Sequence, residues 1–201
     1  NLTSLLDLPL HKQLFKALDT LGFSEATEVQ SRAIPAVLEG RDVMVSAKTG
    51  SGKTAAFLIP MLDRMLGIDM PSGGTRGLIL LPTRELALQT VKIFEKLAKF
   101  TQIKCGIVIG GEAYKYQIAS LRRNPEVIIA TPGRLVEHLE KRSIDFHDLE
   151  FLVLDEADRM LDMGFTEDMN TIAKACKKER QTLLFSATLN HRSFGRIAAI
   201  L

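Results

Sequence analysis

Residues 47–54 read Ala47-Lys48-Thr49-Gly50-Ser51-Gly52-Lys53-Thr54, between an apolar run at 42–46 and a helical pattern that opens Ala55-Ala56-Phe57-Leu58. The order is strand, glycine-rich loop, helix. Glycines let successive backbone N–H groups converge on phosphate oxygens, and the helix start adds the positive end of its dipole. Lys53 supplies a point charge, and the Thr54 hydroxyl suits Mg²⁺. Ala47 stands where the GxxxxGK[ST] pattern has its first glycine, a departure that leaves the physical reading intact. The plain alternative is a Gly-Ser turn of structural origin, and the flanking strand and helix argue against it.

A second group, Val153-Leu154-Asp155-Glu156-Ala157-Asp158, puts three carboxylates directly beyond an apolar run. Such a density of buried charge needs a cation. Asp155, first off the strand, is placed to hold Mg²⁺ through water, while Glu156 can orient or deprotonate a water that attacks a terminal phosphate. An acidic helix start is the competing explanation, because Asp and Glu favour the first turn. The phosphate loop upstream weighs against it.

The elements that must position these groups are visible in the apolar spacing. Runs rich in Val, Ile and Leu recur at 42–46, 77–81, 106–109, 127–130, 151–154 and 182–185. They read as buried parallel strands. Helical spacing separates them, as over 83–100, with Leu86, Val91, Phe94 and Leu97 on one face, and over 135–141 after Pro132. Alternation of this kind predicts an α/β fold, a mostly parallel sheet with helices on both faces. The stretch 67–77, centred on Pro71-Ser72-Gly73-Gly74, predicts a turn-rich surface loop. Ligands in such sheets sit beyond the carboxyl ends of the strands.

Composition sets the outer bounds. A chain of 201 residues, 46% hydrophobic, buries one core, so it is one domain or one half of a two-domain enzyme. Its formal charge of +2 does not by itself announce a nucleic-acid partner. Cys105 and Cys176 lack metal-ligand spacing and read as reduced thiols of a cytosolic-type compartment. No apolar run reaches the roughly 18 residues of a membrane span. The missing initiator Met and the stop at Ile200-Leu201, inside a helical pattern, predict ends cut from a longer protein. His11, His138, His147 and His191 show no ligand spacing and receive no role, and the pairs Arg122-Arg123, Lys141-Arg142 and Lys177-Lys178 read as solvated faces.

Asp155-Glu156-Ala157-Asp158 together with residues 47–54 resembles the DEAD-box family of ATP-dependent RNA helicases, and further motifs follow in that family's order over nearly the whole chain. Pro82-Thr83-Arg84-Glu85-Leu86 resembles its motif Ia, Gly110-Gly111 its glycine pair, Thr131-Pro132-Gly133-Arg134 its motif Ib and Ser186-Ala187-Thr188 its motif III. The resemblance implies a first RecA-like domain spanning 1–201, a second such domain outside this chain, ATP and Mg²⁺ as cofactors, and RNA as partner. It assigns Lys53, Asp155 and Glu156 to catalysis. It places Phe23, Gln30 and residues 47–54 around the nucleotide, and Thr54 and Asp155 at Mg²⁺. It further implies that Ser186 and Thr188 hydrogen-bond toward Asp158 and couple hydrolysis to RNA.

Motifs Ia and Ib and the glycine pair all begin where a strand ends, on the rim that the nucleotide site shares. Thr83, Arg84, Thr131 and Arg134, with the amides of Gly111 and Gly133, suit the phosphates of a single strand, contacts that carry no sequence code. The family implies RNA over DNA, through 2′-hydroxyls. Two ordinary readings stand beside this one. Thr131-Pro132 makes a good helix start, and Arg84 and Glu85 can pair on the surface. Within residues 2–30, Gly22 to Gln30 resembles the family's Q motif, in which the glutamine amide would pair with adenine. Thr27-x-x-Gln30 is equally a capping box. Ala26 replaces the family's usual proline, and Leu5 stands where an aromatic often stacks on the base.

The expectation is thus an ATP-dependent RNA helicase of ribosome assembly or RNA metabolism, with an ATP-gated RNA clamp as the alternative. Residues 158–165 and 181–189 resemble a bacterial ribosome-assembly subgroup of the SrmB and RhlE kind, which implies a cytoplasmic protein, or a nucleolar one in a eukaryote.

Overall fold

A computed structural model describes residues 3–68 and 74–201. The start of the 2–30 segment and the centre of the turn-rich 67–77 stretch lie outside the described residues. Six strands, β1 (Val43–Ser46), β2 (Gly77–Leu80), β3 (Cys105–Val108), β4 (Val127–Ala130), β5 (Phe151–Asp155) and β6 (Gln181–Ser186), form one sheet in the order β1-β6-β5-β2-β4-β3. Every pairing among them is parallel. The helices are α1 (Lys12–Leu21), α2 (Glu28–Leu38), α3 (Lys53–Leu66), α4 (Arg84–Leu97), α5 (Tyr114–Leu121), α6 (Pro132–Glu140), α7 (Ala157–Asp162), α8 (Thr166–Ala175) and α9 (His191–Ile200).

Alternate residues of the central strands feed two separate cores. Ile79, Val153, Leu183 and Phe185 pack on one face with Phe57 of α3 and Phe94 of α4. Leu78, Leu80, Leu152, Leu154 and Leu184 pack on the other with Leu135 of α6, Ile172 of α8 and Ile197 of α9. A strand buried on both faces has no polar side to alternate with, which is why these segments read as continuous apolar runs. Full burial of each such side chain contributes on the order of 1.5–3 kcal/mol.

The strand and helix boundaries differ by a few residues from those the sequence predicts. β3 starts at Cys105 because that residue pairs with Val127, and β6 runs on to Ser186 because Ser186 pairs with Ser46. α4 closes at Leu97, where Ala98 leaves helical geometry and starts a turn that Thr101 completes by donating to the Ala98 carbonyl. α6 starts earlier than expected, with Pro132 in its first turn. Among the described residues no helix is long and apolar enough to cross a membrane.

The topology puts the carboxyl ends of all six strands on one rim. Because β6 lies between β1 and β5, the loop after β1 and the acidic segment after β5 flank the end of β6.

Candidate nucleotide site and adjoining rim

Residues 47–52 leave β1, and Ala47 extends its ladder by donating its N–H to the Ser186 carbonyl at 2.9 Å. Gly50 and Gly52 adopt φ of +84° and +83°, a region that side-chain-bearing residues avoid. Gly52 is the N-cap of α3, so Lys53 is the first helical residue and Thr54 the second. Lys48, Thr49 and Gly50 are exposed and Ser51 and Thr54 half-buried.

Lys53 is only 6% exposed, yet its charge is doubly matched: Nζ lies 2.9 Å from Asp155 Oδ1 and also bonds Glu156 Oε2. Burial pulls the lysine downward, but Asp155 and Glu156 outweigh it and hold the ammonium above its ordinary value. Burial likewise pushes the Asp155 carboxyl up, against the pull of Lys53. Glu156 has φ +57° and ψ +44°, and its own N–H donates to Asp155 Oδ1. A non-glycine residue held there stores about 1–2 kcal/mol. That strain lies at the junction of β5 and α7, where the carboxylate turns toward the glycine loop.

A cavity of about 290 Å³ opens beside this triad, lined among others by Phe23, Gln30, Thr49 and Thr54. Both halves of the capping box are formed: Gln30 N–H donates to Thr27 Oγ1, and Gln30 Oε1 accepts from the Thr27 N–H at 3.0 Å. Gln30 Nε2 additionally donates to the Gly52 carbonyl at 3.1 Å, tying α2 to the glycine loop. A primary amide keeps one more hydrogen and one more lone pair. Capping is therefore compatible with reading a base edge. Leu5 is buried at 1% exposure in the core, whereas Phe23 is 40% exposed at the cavity.

At the end of β6, Asp158 Oδ2 accepts from the Thr188 hydroxyl at 3.0 Å, and the Asp158 N–H donates to Ser186 Oγ at 3.3 Å. Burial raises the Asp158 carboxyl, but the hydroxyls of Ser186 and Thr188 beside it bring it below its ordinary value. Ser186 thus meets the Asp158 backbone, and Thr188 its carboxylate.

The rim residues divide into two sets. Arg84 and Gly111 are exposed, with Arg84 Nη1 3.4 Å from the Gly110 carbonyl. Gly111 has φ +85°, and a Cβ there would lie 2.7 Å from Arg84 Nη1. Thr83, half-buried, caps α4 by accepting the Leu86 N–H. Thr131 is buried at 8% exposure and Arg134 is turned inward, where Nη1 donates to the Glu112 carbonyl at 2.8 Å and to Gln117 Oε1 at 3.2 Å. Gly133 is half-buried in the first turn of α6. Thr131 stands at the N-cap of α6, but its side chain makes no capping bond, and no Arg84–Glu85 ion pair forms among the described residues.

Two residues that the sequence did not single out for the site belong here. Gln117 and His138 are 2% and 0% exposed and hydrogen-bond each other at 2.9 Å. The histidine therefore has a structural role, and its spacing four residues beyond Arg134 on one helix was the only available signal. Among the described residues no cluster of three metal-ligating side chains occurs. Asp155 and Thr54 still fit Mg²⁺, which keeps most of its waters and takes one or two protein oxygens alongside phosphates. Cys105 and Cys176 are free thiols, pushed by burial to about 12 and about 11.

A parallel six-stranded sheet with a glycine loop after β1 and paired acids at the end of β5 defines a RecA-like P-loop domain. The model of the DEAD/DEAH box helicase family matches residues 27–197, and the chain belongs to that family. It is 53% identical over 185 residues to the probable ATP-dependent RNA helicase ddx27 of Dictyostelium discoideum, covering 92% of this chain and 24% of that relative. It is 44% identical over 188 residues to the ATP-dependent RNA helicase CshA of Listeria monocytogenes, covering 94% of this chain and 36% of CshA. The crystal structure of a DEAD box protein from Methanococcus jannaschii superposes with TM-score 0.90 at 35% identity, over 98% of this chain and 53% of that one.

Proposed function

We propose that this chain is the first RecA-like domain of an ATP-dependent RNA helicase, binding Mg-ATP between residues 47–54 and Asp155-Glu156 and RNA backbone along the adjoining rim. The observation that carries this reading is Lys53, buried at the head of a glycine loop and matched to two acids from the end of β5. Mg²⁺ held with Thr54 and Asp155 would neutralise charge on the phosphates. Lys53 then exchanges its carboxylates for phosphate oxygens, which frees Glu156 to orient the attacking water. Gln30 and Phe23 hold the adenine. The Asp158–Thr188 bond links this chemistry to the end of β6, and Arg84 and Gly111 meet the RNA.

The chain spans about a quarter of the length of its Dictyostelium relative. The second RecA-like domain, with the arginines that reach the terminal phosphate, is proposed to lie in the rest of the protein. The likeness of residues 158–165 and 181–189 to ribosome-assembly helicases makes ribosomal RNA the proposed target. Cys105, half-buried, and Cys176, buried, are both free thiols, which suits a reducing compartment, cytoplasmic in a bacterium and nucleolar in a eukaryote.

Arginine fingers contribute roughly 10³–10⁵ in rate. The 201-residue chain should therefore bind nucleotide, turn it over very slowly and leave duplexes intact, while a protein carrying both domains hydrolyses ATP faster when RNA is added. ATP-dependent strand separation by this chain alone would refute the division of labour. RNA-stimulated hydrolysis without strand release in the two-domain protein would favour a clamp.

A further inference from the structure

The loop that follows β3 is pinned by its carbonyls. Gln117 Nε2 donates to the Ile109 carbonyl at 2.6 Å, Arg84 Nη1 to that of Gly110 at 3.4 Å, and Arg134 Nη1 to that of Glu112 at 2.8 Å. The three donors come from α5, α4 and α6. Among the described residues the N–H groups of Gly110 and Gly111 have no acceptor, and Gly111 is exposed in a left-handed turn. Successive free amides beside a positive-φ residue make an anion-binding concavity.

Gln117 is the member of this set that touches both neighbouring motifs, and its orientation is fixed by chemistry. Arginine has no acceptor, so the Gln117 atom 3.2 Å from Arg134 Nη1 must be oxygen. The same oxygen lies 2.9 Å from His138 Nε2, which therefore carries its proton. His138 Nδ1 is then the acceptor, 2.8 Å from the Ser143 hydroxyl, and the ring stacks on Tyr114 with centroids 4.1 Å apart. Burial and the neighbouring Arg134 lower the imidazole's proton affinity and keep it in this neutral form. The Gln117 amide is thus clamped and cannot flip.

Resting on the RNA reading above, we propose that Gln117, oriented by His138, is a positioning residue for RNA engagement. It locks the glycine-pair loop to α6, so that the amides of Gly110 and Gly111 and those at the start of α6 present one rigid phosphate-binding surface. It touches no RNA itself.

Two substitutions separate the links. Gln117→Glu keeps the acceptor toward Arg134 and His138 but removes the donor to Ile109. Gln117→Met removes both. Binding of a single-stranded RNA oligonucleotide is measured by fluorescence anisotropy over a range of salt, with Mg-ADP affinity and melting temperature measured alongside. RNA affinity should fall about tenfold in Gln117→Glu, and at least as far in Gln117→Met, with Mg-ADP affinity unchanged in Gln117→Glu. The slope of log K against log[salt] should shrink by about 0.7 for each phosphate that the variant no longer engages. Wild-type RNA affinity and slope in Gln117→Glu would overturn the proposal while leaving the RNA reading intact. A fall in Mg-ADP affinity equal to that for RNA would also overturn it, showing a merely structural role. A wild-type chain that binds no RNA at low salt would remove the RNA reading and this proposal together.

Discussion

Lys53 and Gln30 each serve two purposes, and the two can be separated by substitution. Lys53 neutralises Asp155 and Glu156, so Lys53→Met leaves two adjoining carboxylates without a cation in a site where all three residues are under 7% exposed. Breaking a buried ion pair in this way costs about 3–5 kcal/mol, which urea unfolding would measure. The Asp155 carboxyl already sits above its ordinary range through burial. A folded-state acid with a raised value gains protons as pH falls, so the stability deficit of Lys53→Met should shrink as the solution is taken from neutral to acidic pH. A deficit constant across that range would mean that Asp155 is not charged beside Lys53. Gln30→Glu retains an oxygen for the Thr27 N–H and keeps the cap, but removes the donor to the Gly52 carbonyl and to a base. Adenine-over-guanine preference should fall about tenfold with little change in the helix, as read by competition binding and circular dichroism. Ala26 shows why one departure from the family pattern is tolerated: its N–H donates to the Thr3 carbonyl at 3.0 Å, a bond proline could not make.

At the scale of elements, the junction of α2 with the glycine loop is tight. A Cβ on Gly52 would lie 2.7 Å from Gln30 Nε2 and 2.9 Å from the Thr27 side chain, at φ +83°. Gly52→Ala should lower stability by about 1–3 kcal/mol and weaken nucleotide binding, both measurable on one preparation. On the opposite face, neutral His138 makes a pH-sensitive clamp between α5 and α6. Its folded value lies below its ordinary value near 6.5. The unfolded chain therefore binds the extra proton first, so stability from this group is complete above about pH 6.5 and is lost as pH falls below it. His138→Asn should flatten that part of the stability profile in chemical denaturation, and an unchanged slope would show that His138 does not supply it. Buried strands on both faces and the loops after them were legible, because their apolar runs and punctuation are local. The glycine-loop lysine and the acids of β5 were legible as types, but their pairing across β6 is a fact of topology. Gln117 and His138 were not legible, because their partners are a carbonyl and an arginine made adjacent only by the fold. The ends of β3, α4 and α6 were set by cross-strand pairing and by turns that periodicity does not encode.

For the whole molecule, every motif except the segment 22–30 hangs from the carboxyl end of a strand, so the proposed nucleotide and RNA surfaces share one rim. β6 joins the glycine loop to the acidic segment: Ser186 meets the Ala47 N–H through its carbonyl and the Asp158 N–H through its hydroxyl, while Thr188 holds the Asp158 carboxylate. Replacing Thr188 with Val should leave Mg-ADP affinity within about twofold and, in the two-domain protein, reduce RNA stimulation of hydrolysis. Equal stimulation in wild type and variant would sever that link. The most direct test of the central claim is calorimetric titration of the chain with Mg-ADP and with Mg-GDP, repeated on Lys53→Met and Gln30→Glu. An adenine nucleotide site predicts preference for Mg-ADP, lost altogether in Lys53→Met and reduced toward that for Mg-GDP in Gln30→Glu. Equal affinity for the two nucleotides, or binding that survives Lys53→Met, would contradict it.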